Sequence, residues 1–386
     1  MFTFRRWKTY LGVAVAVSLL LVPLMSLAAS VTPGTVTAWG YNGLGCLGDG
    51  TTTSSSKPVT VGLPDGVSAL TITAGSFHNL AITTEGVYTW GGEVLTPTKI
   101  VFPAAVTAVS DIAAGAGHSL ALTDDGVYVW GGNSSGQLGD GTTISKPDPV
   151  KIFFPSSVTA IFSVAAGSYH SLAVTDDGVY AWGSNGGAQL GDGTRTQRNA
   201  PVKVALPPAV TSVSAVSGGG FHSLAITNDG VYAWGNNTFG QLGNGTITDS
   251  AVPVKVVFAV AKRTAPVNVT AIAAGFWHSL AIGDGNIYGW GYGSNGELGS
   301  PAGSTNVFPV KAVFPKKVGP IVFTAVSAGD LHSVALSNVG EVYAFGNNSE
   351  GQLGSNSNGG PTPTKVPNEG GVIDVSAGYY HSLALH

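Results

Sequence analysis

The chain has 386 residues, of which 44% are hydrophobic and 10% carry a charged side chain. Glycine accounts for 56 of them, well above the usual share of roughly 7%. This composition excludes a disordered chain, which would have less apolar content and more net charge. It favours many short strands joined by tight turns. The single cysteine, Cys46, excludes a disulfide within the chain.

The first 28 residues are predicted to be a signal peptide. Arg5, Arg6 and Lys8 precede an uncharged apolar run over 11–28, which ends in the small residues of a cleavage site. We therefore expect a leader at 1–28 and a mature chain at 29–386 that is secreted, periplasmic or on the cell surface. The alternative is an uncleaved anchor, because the run approaches the roughly 20 residues that span a bilayer. After cleavage, no membrane span is expected.

Removal of this leader would make the chain more acidic. It leaves 14 Lys and Arg residues against 21 Asp and Glu residues, a net charge of −7. A nucleic-acid-binding domain usually carries a basic face that neutralises phosphates. The sequence has no such concentration of basic residues, so we expect no nucleic-acid partner.

One phrase recurs along the rest of the chain: A-A-G-x-x-H-S-L-A-x-T-x-D-G-V-Y-x-W-G, then N-x-x-G-Q-L-G-D-G-T, then P-V-K-V. Its histidine falls at His78, His118, His170, His222, His278, His332 and His381. Its aromatic residue before glycine falls at Trp39, Trp90, Trp130, Trp182, Trp234, Trp290 and Phe345. Two matching sets of seven predict seven structural repeats.

Each repeat is predicted to contain four strands. The Asp-Gly pair between two apolar runs is a hairpin signal, and a strand is expected before each A-G and at each P-V-K-V. Four-stranded repeats of this length fit the blades of an all-β propeller. The Trp90 repeat lacks G-Q-L-G-D-G-T, so its outer part is expected to be shortened.

The two ends of the repeat region are complementary. The first repeat begins near Trp39 without its histidine half, and the last breaks off after His381 and its strand. We therefore predict that strands from both ends form one composite blade. Such a blade would close the ring and leave no exposed sheet edge.

The motifs A-G-x-x-H-S-L-A, D-G-x-V-Y-x-W-G and G-Q-L-G-x-G-T resemble the regulator of chromosome condensation repeat over residues 31–386. The resemblance implies a seven-bladed propeller. It leaves function open, because that family includes nuclear exchange factors for the GTPase Ran and bacterial secreted proteins such as a propeller-type β-lactamase inhibitor. With the predicted leader, the chain looks like a bacterial-type secreted member, which disfavours guanine-nucleotide exchange.

Features present in every repeat are interpreted as scaffold. We expect the seven histidines to hydrogen-bond backbone groups between blades rather than bind metal, because one zinc needs three or four ligands near 2 Å. Phe345 in place of tryptophan suggests that burial, not hydrogen bonding, is the shared requirement of the aromatic position. Asp49, Asp140 and Asp192 fit turns better than a calcium loop. No metal or cofactor is predicted, and nothing around Cys46 indicates a reactive thiol.

Function is sought where the repeats differ, in the two residues between A-G and histidine. The candidate ligand-binding residues there are Phe77, Tyr169, Phe221, Phe276, Trp277, Asp330, Tyr379 and Tyr380. Aromatic side chains are favoured in binding hot spots, so a rim of them would suit a protein or glycan partner. The alternative is that these side chains only pack between blades.

No catalytic motif is present: neither G-x-S-x-G, H-E-x-x-H nor a phosphate loop occurs. We therefore expect a monomeric, non-enzymatic binding or scaffold protein. An inhibitor of a secreted enzyme is one alternative. A hydrolase or lyase with a site assembled from several blades is another, since propeller enzymes can build sites that way.

Overall fold

The structure, a computed structural model, describes residues 34–258, 266–301, 305–315 and 321–386. The predicted signal peptide lies outside these residues. The described residues contain 28 strands and no helix, and the strands form seven sheets of four. The all-β, seven-bladed propeller with four-stranded blades is confirmed.

The strands follow the chain in blade order. Before the first complete blade come β1 (Val36–Gly40) and β2 (Ser55–Thr60). Blade 1 contains β3 (Ala69–Ala74), β4 (His78–Thr83), β5 (Gly86–Gly91) and β6 (Val94–Lys99). Blade 2 contains β7 (Val109–Ala114), β8 (His118–Thr123), β9 (Gly126–Gly131) and β10 (Lys146–Lys151). Blade 3 contains β11 (Ile161–Ala166), β12 (His170–Thr175), β13 (Gly178–Gly183) and β14 (Arg198–Lys203).

The remaining blades repeat this arrangement. Blade 4 contains β15 (Val213–Gly218), β16 (His222–Thr227), β17 (Gly230–Gly235) and β18 (Ser250–Lys255). Blade 5 contains β19 (Val269–Ala274), β20 (His278–Gly283), β21 (Asn286–Gly291) and β22 (Asn306–Lys311). Blade 6 contains β23 (Phe323–Ala328), β24 (His332–Ser337), β25 (Val342–Gly346) and β26 (Gly360–Lys365). The last strands are β27 (Asp374–Ala377) and β28 (His381–Leu385).

Blade 7 is the predicted composite. Its strand order is β2-β1-β28-β27, so two strands come from each end of the propeller. Val36 pairs with Leu385 and Gly40 with His381 in one antiparallel register. The Gly34 amide donates to the His386 carbonyl over 2.6 Å. The ring is therefore closed by backbone hydrogen bonds, as the complementary ends predicted.

Blade 1 has the shortened outer part that its sequence predicted. Only Gly92 and Glu93 join β5 to β6. Both have positive φ, at 59° and 81°, as the two central residues of a type I′ hairpin turn require. The long N-x-x-G-Q-L-G loop of the other blades has no counterpart here, and this changes the contacts that blade 1 makes with blade 2.

The core lies between neighbouring blades. Between blades 3 and 4, for example, Trp234 and Ala225 pack against Leu172, Leu190 and other buried residues of blade 3. Trp234 is fully buried, as are the corresponding aromatics of most blades. Truncating a buried tryptophan to alanine typically destabilises a protein by about 3–5 kcal/mol. The aromatic position of the repeat thus holds each blade against its predecessor.

The propeller has two distinct faces. The loops that join first to second strands and third to fourth strands meet at one end, which we call the upper face; there, the Ser184 amide donates to the Tyr169 carbonyl over 2.8 Å. The Asp-Gly hairpins lie at the opposite end of the antiparallel strands, on the lower face. Within the described residues, no helix long and apolar enough to cross a bilayer is found.

Candidate functional site

The seven histidines form a closed ring of contacts around the propeller. Each Nε2 lies 2.8–3.0 Å from the serine hydroxyl of the next blade in six cases. The seventh, His381, lies 2.6 Å from Oδ1 of Asn79 in blade 1. The expectation of an inter-blade bond to backbone was therefore wrong about the partner. A side chain from the H-S pair of the neighbouring blade fills that role.

The hydrogen-bond chain assigns the protonation of these histidines. The Ser171 hydroxyl donates to the Gln137 carbonyl over 2.8 Å, so it must accept from His118 Nε2 over 3.0 Å. His118 is then a neutral donor at Nε2, and burial lowers its pKa to about 3. A neutral imidazole held in this way serves the scaffold. No group of three or more His, Cys, Asp or Glu that could hold a metal ion occurs among the described residues.

The glycine of each A-G pair leaves room for the histidine ring. A Cβ added to Gly167 would lie 2.5 Å from Nδ1 of His170 and 2.5 Å from the Gly219 carbonyl. Real Cβ atoms do not approach other atoms that closely. The histidine packing thus explains the glycine of the A-G pair.

The aromatic position combines burial with a hydrogen bond in most blades. Five indole groups donate to a backbone carbonyl of the preceding blade, over 2.8–3.1 Å. Trp130 makes no such bond in the described residues, because the shortened loop of blade 1 lacks that carbonyl, and Phe345 has no N–H. The interpretation that burial alone mattered was therefore incomplete: burial is shared by all seven positions, and the bond by five.

The acidic turns and Cys46 have structural surroundings. Asp140 Oδ1 accepts from the Thr142 amide over 3.0 Å and from Asn133 Nδ2 over 3.1 Å, so it closes the turn as expected. Cys46 is buried, and burial raises the pKa of its thiol to about 12. A thiol held protonated in this way is a poor nucleophile.

A second closed ring, made of backbone, surrounds the upper end of the central channel. The residue after each A-G donates its amide to a carbonyl of the next blade, over 3.0–3.3 Å, in all seven blades. We call these seven residues the channel mouth; they are Ser76, Ala116, Ser168, Gly220, Phe276, Asp330 and Tyr379. Their backbone is fixed by the scaffold, whereas their side chains are free to differ.

The channel mouth is asymmetric. Blades 1 to 4 contribute small residues, and blades 5 to 7 contribute Phe276, Asp330 and Tyr379. The channel below has a volume of about 250 Å³ and is lined mainly by Ala, Gly, Ser and Thr. Among its described lining residues, Asp330 is the one with a charged side chain. One half of the mouth is therefore open and the other half carries bulky and acidic groups.

The predicted rim aromatics form a connected cluster instead of isolated anchors. Ring centroids 4.5–6.1 Å apart link residues of blades 4, 5, 7 and 1. We call this set the aromatic cluster; its members are Tyr41, Phe77, Phe221, Phe239, Phe276, Trp277, Tyr292, Tyr379 and Tyr380. Its rings are half-buried against each other. Packing between blades, the alternative from the sequence, thus accounts for part of their surface.

Tyr169 stands outside this cluster. Its side chain is 42% exposed on blade 3 and makes no ring contact among the described residues. The structure therefore brings seven of the eight candidate residues together around blades 4 to 7 and 1, and leaves Tyr169 apart. Sequence reasoning missed Tyr41 and Tyr292, although each directly follows a W-G pair and could have been noticed there. It also missed Phe239, which precedes a G-Q-L-G.

Two buried carboxyl groups lie beside the cluster. Asp330 is 5% exposed, and burial raises its pKa to about 6, against the opposing effect of a hydrogen bond from Tyr379. Glu297 replaces the usual glutamine of G-Q-L-G and is fully buried. Burial raises its pKa to about 7, and the nearby charge of Asp330 contributes. Two acids in apolar surroundings give this part of the upper face a distinct chemistry.

The repeat architecture agrees with comparisons to known proteins. The family model described as RCC1-like domain matches residues 92–318, and that of the regulator of chromosome condensation (RCC1) repeat matches 33–82 and 339–385. The chain is 32% identical to the ultraviolet-B receptor UVR8 of Arabidopsis thaliana, over 83% of this chain and 74% of that protein. It is 35% identical to human HERC6, a probable E3 ubiquitin-protein ligase, over 65% of this chain but only 25% of the ligase.

Solved structures show the same architecture. Human WBSCR16 superposes with a TM-score of 0.77 at 25% identity, covering 91% of this chain and 98% of that one. Prp20p of Saccharomyces cerevisiae, described with its binding to Gsp1p and histones, superposes with a TM-score of 0.76 at 26% identity, covering 92% of each chain. With matches over most of its length, this chain belongs to the regulator of chromosome condensation (RCC1) repeat family.

Proposed function

We propose that this chain is an exported, non-enzymatic binding protein whose upper face captures a protein or glycan partner. The predicted leader and the acidic balance of the mature chain support a partner outside the cytoplasm and argue against nucleic acid. The activities of UVR8, HERC6 and Prp20p differ from one another, so membership of the family does not assign one of them here.

The observation that carries this proposal is the backbone ring of the channel mouth. Seven inter-blade hydrogen bonds hold the loops in place, yet none of them uses the side chain that follows A-G. A rigid frame with interchangeable side chains is suited to recognition, because little conformational freedom is lost on binding. The aromatic cluster on the same face supplies the residue types that dominate binding hot spots.

The test is affinity capture from the native extracellular fraction. The bait is the mature chain, compared with a variant carrying Tyr169→Ala, Phe221→Ala, Trp277→Ala and Tyr380→Ala. We expect a partner that is retained by the wild-type chain and lost by the variant. Equal thermal unfolding of the two baits is the control for folding. A partner retained equally by a folded variant would exclude the upper-face aromatics as the binding surface.

A further inference from the structure

A buried carboxylate lines the channel at its mouth. Asp330 lines the channel but is only 5% exposed, between the bulky mouth residues of blades 5 and 7. The mouth positions of blades 1 to 4, which lie away from blade 6, are Ser76, Ala116, Ser168 and Gly220, all of them small. Small residues on that side leave room for a ligand group to approach Asp330.

This carboxylate has no cationic partner among the residues that the structure describes. Among the described residues, no lysine or arginine forms an ion pair with Asp330 or with Glu297, and Glu297 Oε1 has no hydrogen-bond partner. The neutral hydroxyl of Tyr379 donates a hydrogen bond to the Asp330 side chain. Buried charges in proteins are normally paired, so an ionised Asp330 is a site of unpaired negative charge.

Aromatic rings stand on both sides of Asp330 in the mouth. Phe276 of blade 5 and Tyr379 of blade 7 contact each other across blade 6, with centroids 5.6 Å apart and planes at 83°. Two nearly perpendicular rings next to a carboxylate offer a cation both an ionic partner and a π face. The mouth residues of blades 1 to 4 offer neither a carboxylate nor a ring.

We propose that the bulky half of the channel mouth, formed by blades 5 to 7, binds an arginine side chain of the partner. The guanidinium would lie at Asp330 and against the rings of Phe276 and Tyr379. The inference rests on the proposed binding function and names the chemistry that the partner presents. Arginine is favoured over lysine because its planar guanidinium stacks on aromatic rings and pairs with a carboxylate through two N–H groups. An ammonium group keeps its hydration more strongly.

The test uses the purified mature chain and short peptides, so it does not depend on finding the natural partner. The probe is acetyl-Gly-Arg-Gly-amide, titrated by calorimetry at neutral pH, with its citrulline counterpart as an uncharged control of the same shape. We expect the arginine peptide to bind at least about tenfold more tightly than the citrulline peptide, since the positive charge that strengthens the hydrogen bonds to Asp330 is the difference between them. A lysine peptide that binds as tightly as the arginine peptide would overturn the choice of guanidinium.

Two substitutions that each remove one negative charge distinguish binding at Asp330 from a general electrostatic attraction to the upper face. Asp330→Asn is expected to weaken the arginine peptide about tenfold or more. The matched control is Glu350→Gln, which removes a charge near Tyr380 on the same rim and is expected to have an effect below about threefold. Equal losses in the two variants, or equal binding of citrulline, would overturn the proposal.

Folding is checked by thermal unfolding of each variant. If Asp330→Asn does not fold, Phe276→Leu takes its place, because leucine keeps apolar volume and removes the π face; unchanged arginine binding in that variant would overturn the ring contact. A captured partner together with no peptide binding would contradict this inference alone. Peptide binding without any captured partner would contradict the proposed function alone.

Discussion

At the scale of single residues, one backbone carbonyl organises most of the blade interfaces. The Gln189 carbonyl of blade 3 accepts from Ser223 over 2.9 Å and from the Trp234 indole over 2.9 Å, both in blade 4. Ser223 in turn accepts from His170 over 2.9 Å. Histidine, serine, tryptophan and the G-Q-L-G loop of the repeat are thus parts of one buried network. Networks of this kind are costly to leave incomplete.

Blade 2 provides a natural control for this network. Trp234 donates to a carbonyl and is fully buried, whereas Trp130 faces the shortened loop of blade 1 and is 6% exposed. Trp234→Phe should therefore destabilise the fold by about 1 kcal/mol more than Trp130→Phe, the usual net contribution of a hydrogen bond. Both variants lose the same atoms, so the difference in free energy of unfolding, measured in urea, isolates the bond. Equal losses would show that the indole N–H contributes nothing.

The sequence predicted these positions but not their partners. Seven histidines and seven aromatics at fixed spacing indicate scaffold. However, the residue after each histidine, serine in six blades and Asn79 in blade 1, bonds the histidine of the preceding blade, which is over 50 residues away for Ser171 and His118. Local spacing contains no information on which side chains meet across blades. The backbone bond expected for the histidines was wrong for this reason.

At the scale of elements, the composite blade decides whether the ring is closed. The matching halves at the two ends predicted this blade. Each repeat has the same strand order, and the strands at the two ends together complete one such repeat. Without β28, the whole of β1 would lose its central partner strand. An exposed edge of that length templates pairing with other chains.

Removal of residues 374–386 tests this closure. The truncated chain is expected to aggregate or lose cooperative unfolding, measured by light scattering and thermal unfolding. The matched control is a circular permutant that joins residue 386 to residue 34 by a short linker and opens the chain between blades 3 and 4. The Gly34 amide lies 2.6 Å from the His386 carbonyl, so the permutant should fold. A truncated chain that stays monomeric and unfolds cooperatively would contradict the role assigned to blade 7.

At the scale of the whole molecule, the two faces differ in what varies. On the upper face, fixed loops carry different side chains from blade to blade, and half of the channel mouth is bulky and acidic. The variable loop was visible in the sequence because its flanking A-G and histidine are constant. The asymmetry of the mouth was not, since Phe276 and Tyr379 meet across blade 6 only after the ring has closed.

The lower face supplies a matched comparison for the binding surface. Phe162 of blade 3 and Ile373 of blade 7 are 62% and 64% exposed there. Tyr169 and Tyr380 belong to the same two blades on the upper face. Two double variants can therefore remove apolar side chains from the same blades while leaving the opposite face intact.

The most direct test is the affinity of the captured partner for these two double variants. Tyr169→Ala with Tyr380→Ala is expected to weaken binding about tenfold or more, as hot-spot truncations do. Phe162→Ala with Ile373→Ala is expected to leave the dissociation constant within about twofold, as positions outside an interface do. Loss of binding with the lower-face variant and full retention with the upper-face variant would contradict the account.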